Sequence, residues 1–346
     1  MSRPLLYWAG ALALGVAAAA PATAQTTPAS TDSLNFDAFG DADSKSAQAY
    51  ATQKVLFLSP TKLISVGYEA QTGFDLTSRP AGEQATGATT QAVDHYRGMR
   101  LGVNAPVISR SNFILNLGLT YWNTGVSLSN PNASAQHQAL NRGLRTTGLN
   151  ATVFKPFNEK HYLLLQANGD LNGNYRRFDD LNNKALTYSG TAIYGWKPTD
   201  SFMWGLGVTR TYRAGQLLHI PVVLYNRTFN PRWGVEAVFP ARVNVRRSFG
   251  TSSLLMLGYE LEGNAYYLGP VNGQDLYLRR GEMKPRITYE RQLAGFVWLS
   301  AQAGYRYNWR FDSFRTQNPS GDDKPVFEND LQNPFYFNVS LNLVSP

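Results

Sequence analysis

The stretch YLLLQANGDLNGNY, residues 162–175, decides the fold class. Its odd-numbered positions carry three Leu, one Ala, two Gly and one Tyr, while its even-numbered positions beyond residue 164 carry only Gln, Asn and Asp. Successive side chains of a β-strand point to opposite faces, so this period of two predicts a strand with one apolar and one polar face.

The same alternation continues along most of the chain. It is clear at 254–268, 296–310 and 335–343, and weaker at 63–76, 92–107, 113–127, 140–155, 184–197, 201–213, 218–229, 233–248 and 275–291. These segments are about 12 to 17 residues long, whereas soluble strands usually have about 5 or 6 and membrane strands need about 9 to 11 plus extensions. The length favours a transmembrane β-barrel, in which the apolar faces point outward and the polar faces line the lumen.

The N-terminus has the pattern of a secretory signal peptide. Arg3 provides positive charge, residues 5–20 form an apolar run rich in Ala and Leu, and residues 22–24 read Ala-Thr-Ala. The apolar run is short for a membrane-spanning helix, which needs about 20 residues, and the small residues fit a cleavage site. We expect cleavage near Ala24, and the absence of Cys excludes a lipid-anchored or disulfide-stapled product.

Composition supports an exported membrane barrel. Aromatic residues make up 13% of the chain and charged residues only 16%, and there are 30 glycines. The formal net charge is +8, but the basic residues are scattered along the strand pattern and form no patch, so nucleic-acid binding is not expected.

The fold prediction is therefore all-β: a transmembrane antiparallel up-and-down β-barrel of about twelve to fourteen strands, spanning residues 61–346. Thirteen segments are visible and a closed barrel expects an even number, so either Pro240 breaks the segment 233–248 or the segments flanking Gly215 are one strand. The polar residues 25–60 would form a periplasmic segment or a small plug.

Connections are predicted to alternate in length. The connections at 109–112, 157–160 and 198–200 are tight and would be periplasmic, whereas those at 77–91, 129–139, 178–183 and 311–332 are long and would be external. Aromatic residues near segment ends would form two interfacial girdles: Tyr121, Trp122, Tyr194, Trp196, Trp233, Tyr266, Tyr267, Tyr307 and Trp309.

One constellation of charged residues lies on the polar faces of the later segments. The candidate lumen-lining residues are Glu236, Arg242, Arg246, Glu260, Glu262, Arg280, Glu282, Lys284, Arg286, Glu290, Arg306 and Arg310. A charge facing lipid near the midplane costs about 2 to 4 kcal/mol, so this set belongs inside. It could form charged rings that select solutes, or an interlocked Arg–Glu network that fills the lumen.

Enzymatic and metal signatures are not found in the sequence. The four histidines show no metal-ligand spacing, and neither a nucleophile elbow nor a phosphate-binding loop appears, so we predict no catalytic residue, no cofactor and no metal. His219 would face the lumen by parity and is the only, weak, motivation for a lipid-acting barrel enzyme.

Several short motifs resemble a family of uncharacterised Gram-negative outer-membrane β-barrels. They are the Val-Gly-Tyr at 66–68, the Leu-Gly-Leu-Thr-Tyr at 117–121, the Pro-Val-Val-Leu-Tyr at 221–225, and Trp233 followed by Phe-Pro at 239–240. The resemblance covers roughly 60–346 and implies fold and location only. The chain departs from common barrels at its end, which reads Leu-Val-Ser-Pro rather than closing on an aromatic residue.

The expected function is a non-enzymatic outer-membrane barrel, a narrow channel for small solutes. The alternative is a closed-lumen structural or surface-binding barrel acting through the loops 77–91 and 311–332. Expected partners are outer-membrane lipid, the barrel assembly machinery, periplasmic chaperones and a small solute.

Overall fold

The computed structural model describes residues 49–81, 87–180 and 182–345. The predicted signal peptide at 1–24 and residues 25–48 lie outside these residues. Eighteen strand segments are present in the described part of the chain. They are β1 Lys62–Gln71, β2 Phe74–Pro80, β3 Thr89–Arg110, β4 Phe113–Leu128, β5 Leu144–Pro156, β6 His161–Gly173, β7 Leu186–Thr199, β8 Phe202–Thr211, β9 Leu218–Thr228, β10 Trp233–Phe239, β11 Arg242–Ser248, β12 Ser253–Val271, β13 Gln274–Ala294, β14 Val297–Tyr305, β15 Tyr307–Arg310, β16 Ser313–Phe314, β17 Phe327–Leu331 and β18 Phe335–Val344.

Within the described ranges, helical structure is confined to connections. One α-helix, α1, spans Ala135–Leu140, and 3₁₀ turns span Pro131–Ala133, Phe178–Asp180 and Asn183–Ala185. No helix of the described ranges is long and apolar enough to cross a membrane.

The strands close into one antiparallel barrel. β1 and β2 are consecutive parts of one wall strand because both pair with β3, and β17 and β18 likewise form one strand that pairs with β1 and β2. β14, β15 and β16 all pair with β13 and form another. The eighteen segments therefore make a wall of fourteen strands, in which the last strand pairs with the first. Closure is what a non-aqueous surround requires, since an open edge would leave backbone groups unpaired.

A turn at Pro240 resolves the strand count. The predicted segment 233–248 is a hairpin of two strands of seven residues, β10 and β11, with Val238 paired to Arg242 across the turn. The alternative, one strand through Gly215, is wrong because β8 and β9 pair antiparallel on either side of residues 212–217. With fourteen strands, the connection between β16 and β17 lies at the same end as the other long connections.

The two ends of the barrel differ as predicted. We call the end with the connections 111–112, 157–160 and 200–201 the turn end, and β1 begins and β18 finishes there. The opposite loop end carries the connections 81–88, 129–143, 174–185 and 315–326. The predicted loops 77–91 and 311–332 were too long, because β2 and β17 pair with each other and extend the wall into both.

The outer surface of the wall is apolar. β18 shows this best: Phe335, Phe337, Val339, Leu341 and Leu343 are exposed, while the five residues that alternate with them are buried. On β6 the even-numbered polar residues Gln166, Asn168 and Asp170 line the lumen, so the odd-numbered residues face outward. A continuous belt of exposed Leu, Val, Ile and Phe is far larger than the apolar patches of water-soluble monomers, so the barrel is built for a lipid surround.

Aromatic rings cluster on the outside near the two ends, with exceptions. At the turn end the rings of Trp196 and Trp204 stack 4.5 Å apart, and Tyr194 meets Trp196 edge-to-face. Two of the predicted girdle residues, Trp122 and Tyr266, instead face the interior, where Trp122 lies against charged side chains and Tyr266 packs in an apolar cluster.

The wall has one low section. Above the turn of the β10–β11 hairpin, no strand of the described residues pairs with this edge of β12 between Leu261 and Tyr267. The Leu261 N–H donates to the Ala241 carbonyl at 2.8 Å, and Tyr267 bridges to Gly173 of β6. The described residues that cover this edge belong to the β8–β9 connection at 212–217, which we call the strap.

Three glycines let the strap lie close to β12 and β13. A Cβ at Gly263 or Gly281 would come within 2.6 Å of strap carbonyl oxygens, and a Cβ at Gly215 would meet the backbone of β13. Gly215 also has φ +73°, a left-handed conformation that favours glycine. Arg279 fixes the strap from β13 by donating its Nε–H to the Gly215 carbonyl at 3.0 Å.

Candidate functional site

The lumen narrows around a network of buried ions halfway up the barrel. Lys284 of β13 donates to Glu262 at 2.7 Å and to Glu69 at 3.3 Å. Arg100 of β3 reaches the same two carboxylates, at 2.9 Å from Glu262 and 3.1 Å from Glu69. The two cations therefore bridge strands from opposite parts of the sequence across the lumen.

The network continues toward the loop end through Glu282. Arg306 donates to both Glu282 oxygens, at 2.6 and 2.7 Å, and also contacts Glu69. Arg280 donates to Glu282 at 2.9 Å. We call these seven side chains, Glu69, Arg100, Glu262, Arg280, Glu282, Lys284 and Arg306, the central network. Four cations face three carboxylates, so the charges alternate in sign and nearly cancel.

Aromatic rings make cation–π contacts with the cations of the central network. The Arg100 guanidinium lies 3.8 Å from the ring centre of Trp122, and Lys284 Nζ lies 4.8 Å from that of Tyr336. Arg280 lies 5.4 Å from the ring of Tyr96. Cations over ring faces are attracted by the ring quadrupole, which stabilises charge that carboxylates alone do not balance.

An apolar plug lies above the central network. Helix α1 tucks into the loop end, where His137 Nε2 lies 3.1 Å from Ser78 Oγ and Gln136 donates to Asn329 at 2.9 Å. Burial lowers the pKa of His137 below its ordinary value of 6.5. Around the helix packs one apolar cluster, comprising Phe74, Leu76, Val93, Tyr96, Leu128, Ala139, Leu140, Leu144, Tyr266, Leu268, Val271, Leu276, Leu278, Phe311 and Leu331. The helix and this cluster, here called the loop-end plug, close the barrel on that side.

Residues 49–61 lie across the turn end. Val55 packs in a second apolar cluster, made of lumen-facing side chains of β5 to β9. The Leu56 N–H donates to the Asp200 carbonyl at 2.8 Å, and the Ser59 N–H and hydroxyl donate to Glu236 at 2.9 and 2.8 Å. This segment narrows the turn end through specific contacts.

Other carboxylates near the turn end are paired as well. Arg246, fully buried on β11, donates to Glu236 at 3.0 Å. Lys62 at the start of β1 pairs with Glu290 at 2.6 Å, and Ser300 donates to the same carboxylate at 2.7 Å.

Ten of the twelve predicted lumen-lining residues are ion-paired within the described ranges: Glu236, Arg246, Glu260, Glu262, Arg280, Glu282, Lys284, Arg286, Glu290 and Arg306. The remaining two, Arg242 and Arg310, make no ion pair with a described residue; Arg242 faces the lumen, and Arg310 is half-buried on β15. The arrangement matches an interlocked Arg–Glu network more than a selective ring of one sign.

His219 faces outward, contrary to the prediction. It pairs with Arg210 on the outer surface, while its neighbours Leu218, Ile220 and Val222 face the lumen. The prediction assumed that the apolar residues of each strand face outward. On β9 the apolar residues face the lumen instead, so His219, which alternates with them, faces outward. The reason for suspecting a lipid-acting site at His219 is removed.

Sequence reasoning did not single out Glu69, Arg100 and Arg213. Their only signal was a place on the polar face of 63–76 or 92–107, or at the end of 201–213. The four described histidines and the acidic residues form no cluster suited to a metal ion in the described ranges.

Three cavities remain between these contacts. An upper cavity of about 550 Å³ lies beside the central network, and a side cavity of about 310 Å³ adjoins it, sharing Gln166 and Asn168. A turn-end cavity of about 960 Å³ is bounded by residues 52–61 and shares Val238 and Arg242 with the side cavity. Adjacent cavities thus run from mid-barrel to the turn end.

Residues 45–343 match a family described as "Domain of unknown function (DUF6268)", a span that includes all eighteen strands but the last residue of β18. The chain belongs to this family. No curated protein matches the DUF6268 chain.

Solved outer-membrane proteins are similar to the DUF6268 barrel at low identity. The COG4313 outer membrane channel from Pseudomonas putida F1 is 14% identical, with 83% of this chain and 97% of that chain covered and a TM-score of 0.38. A Pseudomonas aeruginosa FadL homologue is 11% identical, with 81% and 89% covered and a TM-score of 0.35. The outer membrane protease OmpT from Escherichia coli is 9% identical, with 83% and 99% covered and a TM-score of 0.30. Likeness at this level carries no argument about what the DUF6268 barrel does.

Proposed function

We propose that this protein is a non-enzymatic channel for small solutes in the outer membrane of a Gram-negative cell, closed at its loop end in the conformation described. The observation that carries the proposal is the chain of adjacent cavities, about 550, 310 and 960 Å³, inside a closed barrel with an apolar outer belt. A barrel of eight strands holds only side chains and one of sixteen holds an open pore, so fourteen strands suit a narrow, obstructed passage.

The loop-end plug and the central network are the barriers in this channel. The plug is apolar, and the network consists mostly of buried, paired charges, so both obstruct the passage of water and ions as they stand. Passage of a solute requires the α1 connection at 129–143 to move, since α1 is held to the wall mainly by side-chain contacts such as Gln136 with Asn329.

Liposome swelling tests the channel. The mature protein is refolded into liposomes, as is a variant in which residues 131–140 are replaced by a short glycine–serine linker, and entry of arabinose and of a tetrasaccharide is followed by light scattering. We expect slow arabinose entry with the intact protein, faster entry with the variant, and no tetrasaccharide entry with either.

A matched linker replacing residues 318–323, which lie outside the plug, is the control and should swell like the intact protein. Circular dichroism and heat-modifiable electrophoretic mobility establish that each variant is a folded barrel. If neither the intact nor the plug-less barrel admits arabinose faster than empty liposomes, the channel proposal is wrong.

A closed-lumen barrel that acts through its external loops is the second candidate, and the central network favours it because paired buried ions stiffen a wall. In that case shortening the connections at 81–88 and 315–326 abolishes binding of a surface partner while the barrel still refolds, and removing α1 does not create permeability.

A further inference from the structure

The side cavity has an aliphatic wall, which is unusual on the lumen face of this barrel. Ile193, Leu218, Ile220, Val222 and Val238 line it from β7, β9 and β10. Exposing aliphatic side chains to water is unfavourable, and this free-energy cost is removed where an apolar group covers them. This aliphatic wall is the reason that alternation predicted the wrong face for the side chains of β9.

The part of the lining that adjoins this aliphatic wall, on β6 to β8, carries neutral polar side chains. Its hydroxyl and amide groups bond to one another: Thr191 and Thr209 oxygens lie 2.8 Å apart, and Asn168 donates to Ser189 at 3.0 Å. A ligand in this cavity therefore meets aliphatic side chains and, beside them, neutral polar groups that are already hydrogen-bonded to one another.

One cation at the rim of the side cavity, Arg242, has no ion-pair or hydrogen-bond partner among the described residues, although it lies within electrostatic range of Glu260. The ionisable residues lining it are Arg213, Arg242 and Glu260. Glu260 is committed elsewhere, because Arg286 donates to it at 2.5 Å and Arg213 lies 3.5 Å away. Arg242 is exposed to the cavity and makes no hydrogen bond or ion pair with any residue of the described ranges, although Glu260 is its register partner on β12.

We propose that the side cavity binds a small amphipathic monocarboxylate, whose apolar body lies on the aliphatic wall and whose carboxylate pairs with Arg242. A guanidinium presents two parallel N–H donors that match a carboxylate, and one unpaired positive charge matches one negative charge. A volume of about 310 Å³ is at the small end of ligand pockets, which begin near about 300 Å³.

The position of Arg242 places this site within the series of adjacent cavities. Arg242 lines both the side cavity and the turn-end cavity, so a carboxylate bound there stands at the junction between them. The assignment rests on the proposed channel function and names its solute class.

Equilibrium binding with three matched probes tests the site. The refolded mature protein in phosphatidylcholine nanodiscs is titrated calorimetrically with 3-phenylpropionate, 3-phenylpropan-1-ol and 3-phenylpropylamine, and empty nanodiscs are subtracted. We expect the acid to bind more tightly than the alcohol, and the amine not to bind.

Two variants separate the charge from the aliphatic wall. Arg242→Gln lowers affinity for the acid by roughly tenfold or more and leaves the alcohol unchanged, because only a charge-assisted bond is lost. Val238→Thr keeps the shape of the side chain, adds a hydroxyl to the wall, and weakens acid and alcohol alike. Arg247→Gln, on the outer face of the same strand, is the control and leaves both affinities unchanged.

The proposal is overturned if the acid does not bind, or if Arg242→Gln and Arg247→Gln bind it equally well. Failure here is distinct from failure of the channel: arabinose swelling that occurs without acid binding removes the site and keeps the channel. Acid binding without any swelling keeps the site and removes the channel.

Discussion

Replacing Glu282 by Gln should destabilise the barrel far more than removing any exposed ion pair. The Glu282 and Arg280 side chains are 1% and 2% exposed. Gln at this position leaves Arg280 without an ion-pair partner among the described residues, while Arg306 keeps Glu69. Loss of one member of a buried pair typically costs about 3 to 5 kcal/mol. Since Tyr96 still faces Arg280, we expect the lower end, about 3 kcal/mol.

The free energy of unfolding can be measured by urea titration of the protein refolded in lipid vesicles, with tryptophan fluorescence as the signal. The control is Asp275→Asn, which removes a pair with Lys184 whose side chains are 30% and 47% exposed and should cost less than about 1 kcal/mol. The double variant Arg280→Met, Glu282→Gln should recover much of the loss, because no buried charge is then left unpaired. Equal losses for Glu282→Gln and Asp275→Asn would refute the account of the central network.

Two further predictions concern the loop end and the outer belt. Because burial lowers the pKa of His137 below 6.5, the folded protein binds fewer protons than the unfolded chain just below pH 6.5; stability is unaffected above that pH and falls as the pH drops through this window. The thermal unfolding midpoint should be lower at pH 5.0 than at pH 7.5, and this difference should shrink in His137→Gln. An equal difference in His137→Gln would contradict the prediction. Leu149, 67% exposed at the middle of β5, tests the lipid-facing belt: Leu149→Arg should lose about 2 to 4 kcal/mol in vesicles, against little change for Leu149→Met, and a loss below about 0.5 kcal/mol would place this surface in water.

Most of the wall could be predicted from period-two alternation, because the outer belt must be apolar at every second residue. The exact strand number could not. In an antiparallel hairpin, paired residue numbers have a constant sum, and where that sum is even, as for Val238 and Arg242, parity passes through the turn unchanged. Alternation that continued through Pro240 was therefore consistent with a hairpin, and only the proline itself signalled the break.

Five of the seven side chains of the central network were among the residues predicted to line the lumen. The density of charge on the polar face of β13 indicated that Arg280, Glu282 and Lys284 lie inside. Their partners Glu69 and Arg100 lie 215 and 184 residues away from Lys284 in the sequence, and only the closed ring of strands brings them together. The loop-end plug had no comparable signal, since α1 is a single short helix within a connection. The assignment of residues 25–60 as a periplasmic segment or plug stays a prediction.

The low section of the wall has a consequence for how the barrel fluctuates. Between Leu261 and Tyr267 the β12 edge is covered by the strap rather than by a hydrogen-bonded ladder, so separating the two breaks few bonds. Amides of this edge should exchange with deuterium through local opening at a small fraction of the global unfolding energy, while those of β3 and β4 exchange only on complete unfolding. The barrel wall would then open locally at this one edge of β12, next to the side cavity.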